Sequence, residues 1–373
     1  MQKKYTSLGL MSGTSGDGVD ASIINSNGLN EYEVIRDKYF EYDNEIYKEI
    51  HTLKENIFNI NDLKKYSQEL ANLERKITLF HAKVIKEFEV QIDDFIVGFH
   101  GQTIYHNAKE KNSTQLGDGR LLNKLTKKKI IYNFRKNDLY NGGQGAPLAS
   151  LFHQLIVTQN KIKLPVCILN IGGISNISII KQPIGSLDFF SKDIGPGNCL
   201  IDSWVRKNSN KKFDKDGILA LNGKKNDIIY EQAQELYTNR INKEKLSLDI
   251  NDFDVSFARG LSLEDGATTL TDFTASIIGE ELILSLSNLE KKIQNILVCG
   301  GGRKNKILLN KIRKKLNENI DIKLIDAFGI NGDFVESQAF AFLSIRSIQN
   351  LPITFPNTTG CVKPCTGGEI VGS

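Results

Sequence analysis

Two apolar runs near the N-terminus, Tyr5 to Met11 and Val19 to Ile24, flank the polar stretch GTSGDG. Short apolar runs bounded by glycine read as β-strands, so the pair predicts a hairpin with a glycine-rich turn rather than a strand entering a helix. Leu63, Tyr66, Leu70, Leu73, Ile77, Phe80, Val84 and Phe88 recur at steps of three and four. That is one apolar stripe, and the spacing predicts a helix over 61–88 with Asn61 as N-cap. DFIVGFHGQT reads as a buried strand ending at Gly101, and KKIIYNF as another, followed by the loop NGGQGAPLAS.

A second set begins near residue 150. LPVCILNIGGISNISII repeats the plan of strand, glycine turn and strand. DFTASIIGEELILSLSNLE predicts an apolar-rich helix, QNILVCGGGRKN a strand that ends in three glycines before a helix, and VESQAFAFLSIRSI a short buried helix. The chain therefore reads as mixed α/β in two halves. The boundary falls softly near 135–145, giving expected domains of 1–140 and 141–373. A length of 373 residues agrees with two domains at about 150 residues each.

Composition narrows the class. A net charge of +4 with scattered lysines is mild. The basic runs at Lys127–Lys129 and Lys311–Lys315 lack interleaved aromatics, so they read as solvated faces and not as a nucleic-acid surface. No apolar run approaches membrane length, and the N-terminus has no apolar core before its glycine loop, so neither a membrane span nor a signal peptide is expected. The five cysteines are odd in number, which fits reduced thiols in a cytoplasmic protein. Only Cys361 and Cys365 are close in sequence, and no second Cys or His pair follows at zinc spacing, so a zinc site is not expected.

The glycine loops carry the chemistry. GTSGDGVD has no lysine where a Walker loop needs one. Its order is G-x-x-G-x-G before a strand, not the dinucleotide fingerprint before a helix. A hairpin turn of small residues can instead bring backbone N–H groups against phosphate oxygens, with Asp17 or Asp20 orienting Mg²⁺ through oxygen ligands. Three loops, Gly13–Gly18, Gly172–Gly173 and Gly300–Gly302, each follow a hydrophobic strand. That layout is similar to the actin, hexokinase and heat-shock ATPase superfamily, which implies a two-lobed, RNase H-like α/β fold with the nucleotide in the interdomain cleft.

The strings GLMSGTSGDGVD, GFHGQTIYH, QLGDG, NFRKNDLYNGGQGAPL, ILNIGGISNIS, DIGPGN, VCGGGRKN and DAFGINGDFVESQAFAFL sharpen the likeness. In order and spacing they resemble the anhydro-N-acetylmuramic acid kinase family, from about Leu8 to Gly360. The resemblance implies an ATP- and Mg²⁺-dependent enzyme of peptidoglycan recycling. It would open the bridge of 1,6-anhydro-N-acetylmuramic acid with water and phosphorylate the 6-oxygen, giving N-acetylmuramic acid 6-phosphate. It also implies a cytoplasmic homodimer. By the same resemblance, Gly13, Thr14, Ser15, Gly16, Asp17, Gly18, Val19 and Asp20 form the ATP phosphate loop, with Asp17 favoured toward the metal. Gly172 and Gly173 belong to the second nucleotide hairpin, and Gly300, Gly301 and Gly302 border the adenosine. Asp193 in DIGPGN is the catalytic base, in a turn stiffened by Gly195, Pro196 and Gly197. Thr103, Arg135 and Glu336 contact the sugar, an arginine fork suiting the lactyl carboxylate. His100 and His106 read as satisfied loop histidines.

Three positions depart from the family pattern: Gly16 for a larger apolar residue, Asn133 for the Asp of a DFR string, and Ile250 for an Arg within KEKLSLDINDF. They bear on affinity and substrate, and the last also on assembly. Asp193 and Glu336 remain, which predicts a working enzyme. Two competing readings are an ordinary sugar kinase acting on a free hydroxyl and a nucleotide-gated assembly module. A sugar-dependent rate excludes the second.

Overall fold

The computed structural model describes residues 3–372 apart from 91, 93, 241–245 and 288. The start of KEKLSLDINDF, 243–245, lies outside the described residues. The chain divides into two compact units, 1–162 with 182–191 and 333–373, and 163–181 with 192–332.

In the first unit, seven strands among the described residues form one sheet. β1 (Tyr5–Ser12), β2 (Gly18–Ser26) and β3 (Tyr32–Glu41) run as an antiparallel meander. β4 (Ile96–Asn107) and β6 (Ile130–Tyr132) continue in parallel from β1, β5 (Asn112–Leu116) folds back on β4, and β12 (Glu369–Val371) closes the edge antiparallel to β6. A second sheet repeats the order with β7 (Val166–Ile171), β8 (Ile174–Ile180), β9 (Phe189–Pro196), β10 (Asn295–Cys299) and β11 (Asp321–Leu324). There β7 pairs antiparallel with β8 and parallel with β10, and β10 parallel with β11. The repeated plan expected of the two hairpins is thus repeated through both sheets.

The units part later than residue 140, and the last forty-odd residues return to the first unit. The cause is packing at long range. The helix Val335–Ile348 lies so close to β1 and β4 that a Cβ on Gly9 would strike the Ser337 carbonyl, and one on Gly98 the Phe340 carbonyl. Ser7 and Ser22 of the sheet hydrogen-bond Ser344 at 2.7 Å and Ser337 at 2.6 Å.

Local differences also have local causes. The expected 61–88 helix is two, Ile60–Lys65 and Ser67–Glu89, broken at Tyr66. The cap is Asn59, not Asn61: its side chain accepts from Asn61 N and Asp62 N, and Asp62 answers with a capping box. β4 does not stop at Gly101 but runs to Asn107, taking Gly101 through φ +76°. The apolar helix begins at Leu263, well before Asp272, and continues to Ser287.

Candidate active site

The turn between β1 and β2 is braced from several directions. Gly16 donates its N–H to the Gly13 carbonyl at 3.2 Å, and Ser15 Oγ donates to Asp17 Oδ1 at 2.5 Å. Two side chains from elsewhere reach the loop backbone. Gln102, fully buried on β4, donates to the Gly13 carbonyl at 2.9 Å. Lys54, at the end of the helix Asn44–Lys54 and 7% exposed, donates to the Thr14 carbonyl at 2.8 Å. The loop thus has a lysine after all, supplied by another element. No sequence motif could have placed Lys54 there, because it lies forty residues away along the chain.

The glycines of the loop differ in what requires them. Gly16 sits at φ +63°, with a Cβ that would lie 2.8 Å from Ile50 Cγ2. Ile50 fills the space that a side chain at 16 would need, so the loop is closed around its glycine rather than loosened by it. A Cβ on Gly18 would lie 2.6 Å from the Tyr39 hydroxyl. Gly13 is different: its Cβ would meet only Ser15 Oγ, at 3.7 Å. Gly172 would meet only the Ile174 carbonyl at 3.5 Å, and Gly301 nothing within 4 Å. These three have neither a left-handed φ nor a crowding neighbour. The backbone at these three positions is therefore open to its surroundings.

Burial, then the charges of Asp17, Glu41 and Asp20, raise the Tyr39 phenol above its usual range. Those carboxylates therefore gather around the same turn. Their all-oxygen donor set suits Mg²⁺.

The residues expected to contact sugar fall on the same unit. Thr103 lies on β4 beside a bulge, and its Oγ1 accepts from Gln115 Nε2 at 3.2 Å. Arg135 is not a loose surface cation. One guanidinium nitrogen donates to the Gly145 carbonyl at 2.7 Å and another to His100 Nε2 at 2.9 Å. His100 donates from Nδ1 to the Gly101 carbonyl at 2.7 Å. Burial, with Arg135 beside it, holds the His100 imidazole well below its usual range, so it stays neutral and accepts. His100 is thus on a strand and positions Arg135. Asn133 takes φ +56°, a conformation that asparagine tolerates, and its side chain turns to Glu369. An Asp there would set a second carboxylate against Glu369. Glu336 lies in the first turn of the helix Val335–Ile348, half-buried.

In the second unit Asp193 lies on β9, 8% exposed. Its N–H donates to the Leu246 carbonyl and its Oδ2 accepts from Leu248 N, both at 2.8 Å. Asp193 is therefore a strand residue clamped by a neighbouring segment, not a turn residue bonding its own backbone. Gly195 and Pro196 end the same strand. The turn proper is Gly197–Asn198, whose N–H groups donate to the Gly173 and Gly172 carbonyls at 2.8 Å each. A Cβ on Gly197 would strike the Gly172 carbonyl. The glycine hairpin and Asp193 are thus fixed to each other.

Gly300 takes φ +78° against Ile171, and its N–H donates to the Gly332 carbonyl at 2.9 Å. Arg303 follows, 6% exposed, held by a fork to Asp326 at 2.8 and 3.0 Å. Burial works to raise the Asp326 carboxyl, but Arg303 outweighs it and holds it below its usual range. Arg303, Lys304, Lys306, Arg313 and Asp326 help line a cavity of about 550 Å³ beside this turn. Arg303 and Asp326 could not be singled out from the sequence.

No helix among the described residues is long and apolar enough to cross a membrane. A family model for anhydro-N-acetylmuramic acid kinase matches residues 5–372. An anhydro-N-acetylmuramic acid kinase from Pelagibacter ubique (strain HTCC1062) is 54% identical over 373 residues, spanning 100% of this chain and 99% of the relative. Relatives of the same name from Agrobacterium fabrum (35% identical, 100% of both chains) and Rhodopseudomonas palustris (36%, 98% of this chain and 99% of the relative) extend the likeness. Among solved structures, the activator of 2-hydroxyisocaproyl-CoA dehydratase from Clostridium difficile with bound ADPNP aligns over 92% of this chain and 97% of its own, at TM-score 0.41 and 12% identity.

Proposed function

The chain belongs to the anhydro-N-acetylmuramic acid kinase family, and on that premise we propose how its residues divide the work. The substrate is 1,6-anhydro-N-acetylmuramic acid. Asp193 takes a proton from water as the water oxygen bonds to the anomeric carbon. The bond from that carbon to the bridge oxygen breaks. The bridge oxygen, now the 6-oxygen of an opened sugar, accepts the γ-phosphoryl group of ATP, and ADP leaves. No second base is required, because hydrolysis itself generates the nucleophile.

The observation that carries this reading is the clamp on Asp193: a buried strand carboxylate oriented by the Leu248 N–H. Such fixing is what a general base needs to hold one water in line. The Gly13–Asp20 loop receives the phosphates, Gly13 offering the open backbone and Lys54 a positive charge beneath it. Asp17 and Asp20 would hold Mg²⁺, which when bound offsets charge on the transferring group. Gly172 and Gly173 line the second nucleotide hairpin, and Gly301 leaves room for the adenosine. Arg135, pre-set by His100 and Gly145, faces the lactyl carboxylate, and Thr103 and Glu336 bind the sugar's polar groups. A cytoplasmic location and a homodimer belong to the same reading.

The test is product mass spectrometry with Mg-ATP and the anhydro sugar in ¹⁸O-labelled water. One heavy oxygen at the anomeric carbon of a phosphorylated product is expected. Asp193→Asn, which keeps an acceptor for Leu248, should lower turnover by about 10²- to 10⁴-fold. Unlabelled product would leave an ordinary sugar kinase, and wild-type turnover in the variant would remove Asp193 from the mechanism.

A further inference from the structure

Cys361 and Cys365 lie between the one-turn helix Pro356–Thr359 and β12, both buried at 1% and 4% exposure. Their sequence spacing offers two ligands and no more. The fold adds a third from far earlier in the chain: the carboxylate of Asp138, 1% exposed. One ligand atom from each of the three lies within 4.8 Å of the other two. We propose that Asp138, Cys361 and Cys365 form a site for a single thiophilic divalent cation of the zinc class.

The donor set points to that class. Two sulfurs and one oxygen suit zinc and its neighbours, whereas magnesium and calcium take oxygen alone. The carboxylate is oriented but not used up. Oδ2 accepts from Gly145 N and Oδ1 from Thr359 Oγ1, each at 2.7 Å. Each carboxylate oxygen has a second lone pair, and such outer hydrogen bonds are what fix a metal-binding carboxylate. The Cys361 thiol has a long contact to the Thr354 hydroxyl at 3.9 Å, and the Cys365 thiol donates to the Lys363 carbonyl at 3.0 Å, a bond that a metal-bound thiolate would give up. Their backbone is set by other segments. Cys365 exchanges hydrogen bonds with Thr354, and Val362 N donates to the Asn141 carbonyl at 3.1 Å. Both cysteines are free thiols in the structure.

On binding, the two thiols release their protons to solvent. Two thiolates and one carboxylate then face the doubly charged cation, with the Thr354 hydroxyl or a water at the fourth position. Asp138 also pins Gly145, whose carbonyl seats Arg135. The cation would therefore stiffen that loop.

The experiment uses the whole chain, reduced and stripped with a chelator, then loaded with zinc for elemental analysis or with cobalt as a spectroscopic probe. One metal per chain and a sulfur-to-cobalt charge-transfer band are expected. X-ray absorption of the zinc-loaded wild type should show two sulfurs at about 2.3 Å. Cys365→Ser should lose the band and at least tenfold in affinity, while Cys167→Ser, a buried cysteine elsewhere, keeps both. No uptake, or a shell of nitrogen and oxygen alone, overturns the site. So does a Cys361–Cys365 disulfide whose reduced form still refuses cobalt. The wild-type spectrum decides the matter even if the variant does not fold.

Discussion

Gly13, Gly16 and Gly301 look alike in sequence, yet they stand in different surroundings. Gly16 is required by the fold: at φ +63° and against Ile50, Gly16→Ala should cost about 1–2 kcal/mol of stability, read as a lower urea midpoint. Gly13 and Gly301 face open space. Gly13→Ala and Gly301→Ala should leave the unfolding free energy within about 0.5 kcal/mol of wild type and raise the KM for ATP. A destabilised Gly301→Ala with unchanged KM would remove that glycine from the nucleotide site. Lys54 is argued on the same scale. The residue is buried and its ammonium donates to Thr14, a charge-assisted bond worth about 1.5–3 kcal/mol. Lys54→Met should therefore lower stability by an amount of that order and, by releasing the loop, raise the KM for ATP more than it lowers kcat. Steady-state kinetics over an ATP series checks the split. The sequence exposed the loop because glycines and carboxylates cluster locally. It hid Lys54 and Gln102 because a residue that touches a loop from another element leaves no local pattern.

Elements carry the site as much as residues do. The helix Val335–Ile348 holds Glu336 and rests on β1 and β4 where only glycine fits. Gly98→Ala would push a methyl group into the Phe340 carbonyl, an overpacking that costs about 1–3 kcal/mol. The same push would displace Glu336, so stability and kcat should fall together, whereas Gly13→Ala moves KM alone. A Gly98→Ala enzyme with wild-type kcat would show that the helix seat is not tied to the chemistry. Hydrophobic periodicity found this helix and most strands, since their burial is written in their own residues. It missed the break at Tyr66 because Leu63 before it and Leu70 after it keep the apolar stripe. A half-buried Tyr66 keeps the hydrophobic period while its backbone, at φ −98° and ψ 22°, leaves the helix.

At the scale of the molecule, the repeated hairpin plan was legible and the assignment of the C-terminal segment was not. β12 pairs with β6 across more than two hundred residues, and only the pairing itself declares it. The first unit also encloses three histidines, His81, His100 and His153, all buried. Burial lowers His81 and His153 to about 4, and burial with Arg135 takes His100 well below its usual range. In the unfolded chain these groups take up protons near pH 6.5. Between there and about pH 4 the unfolded state binds more protons than the folded one, so stability rises with pH and is lost as pH falls. Each histidine should cost about 1.4 kcal/mol per pH unit in that window. Asp37 and Glu74, raised mainly by burial, act in the opposite sense, but their window opens only near the carboxylate range. Urea unfolding at pH 7.5, 6.5 and 5.5 should show a steep loss confined to the lower half of that range. His153→Leu, which removes one buried imidazole outside the candidate site, should reduce the slope by roughly one third. A flat wild-type profile would mean that these imidazoles take up protons inside the fold, and the neutral His100 that seats Arg135 would have to be abandoned with them.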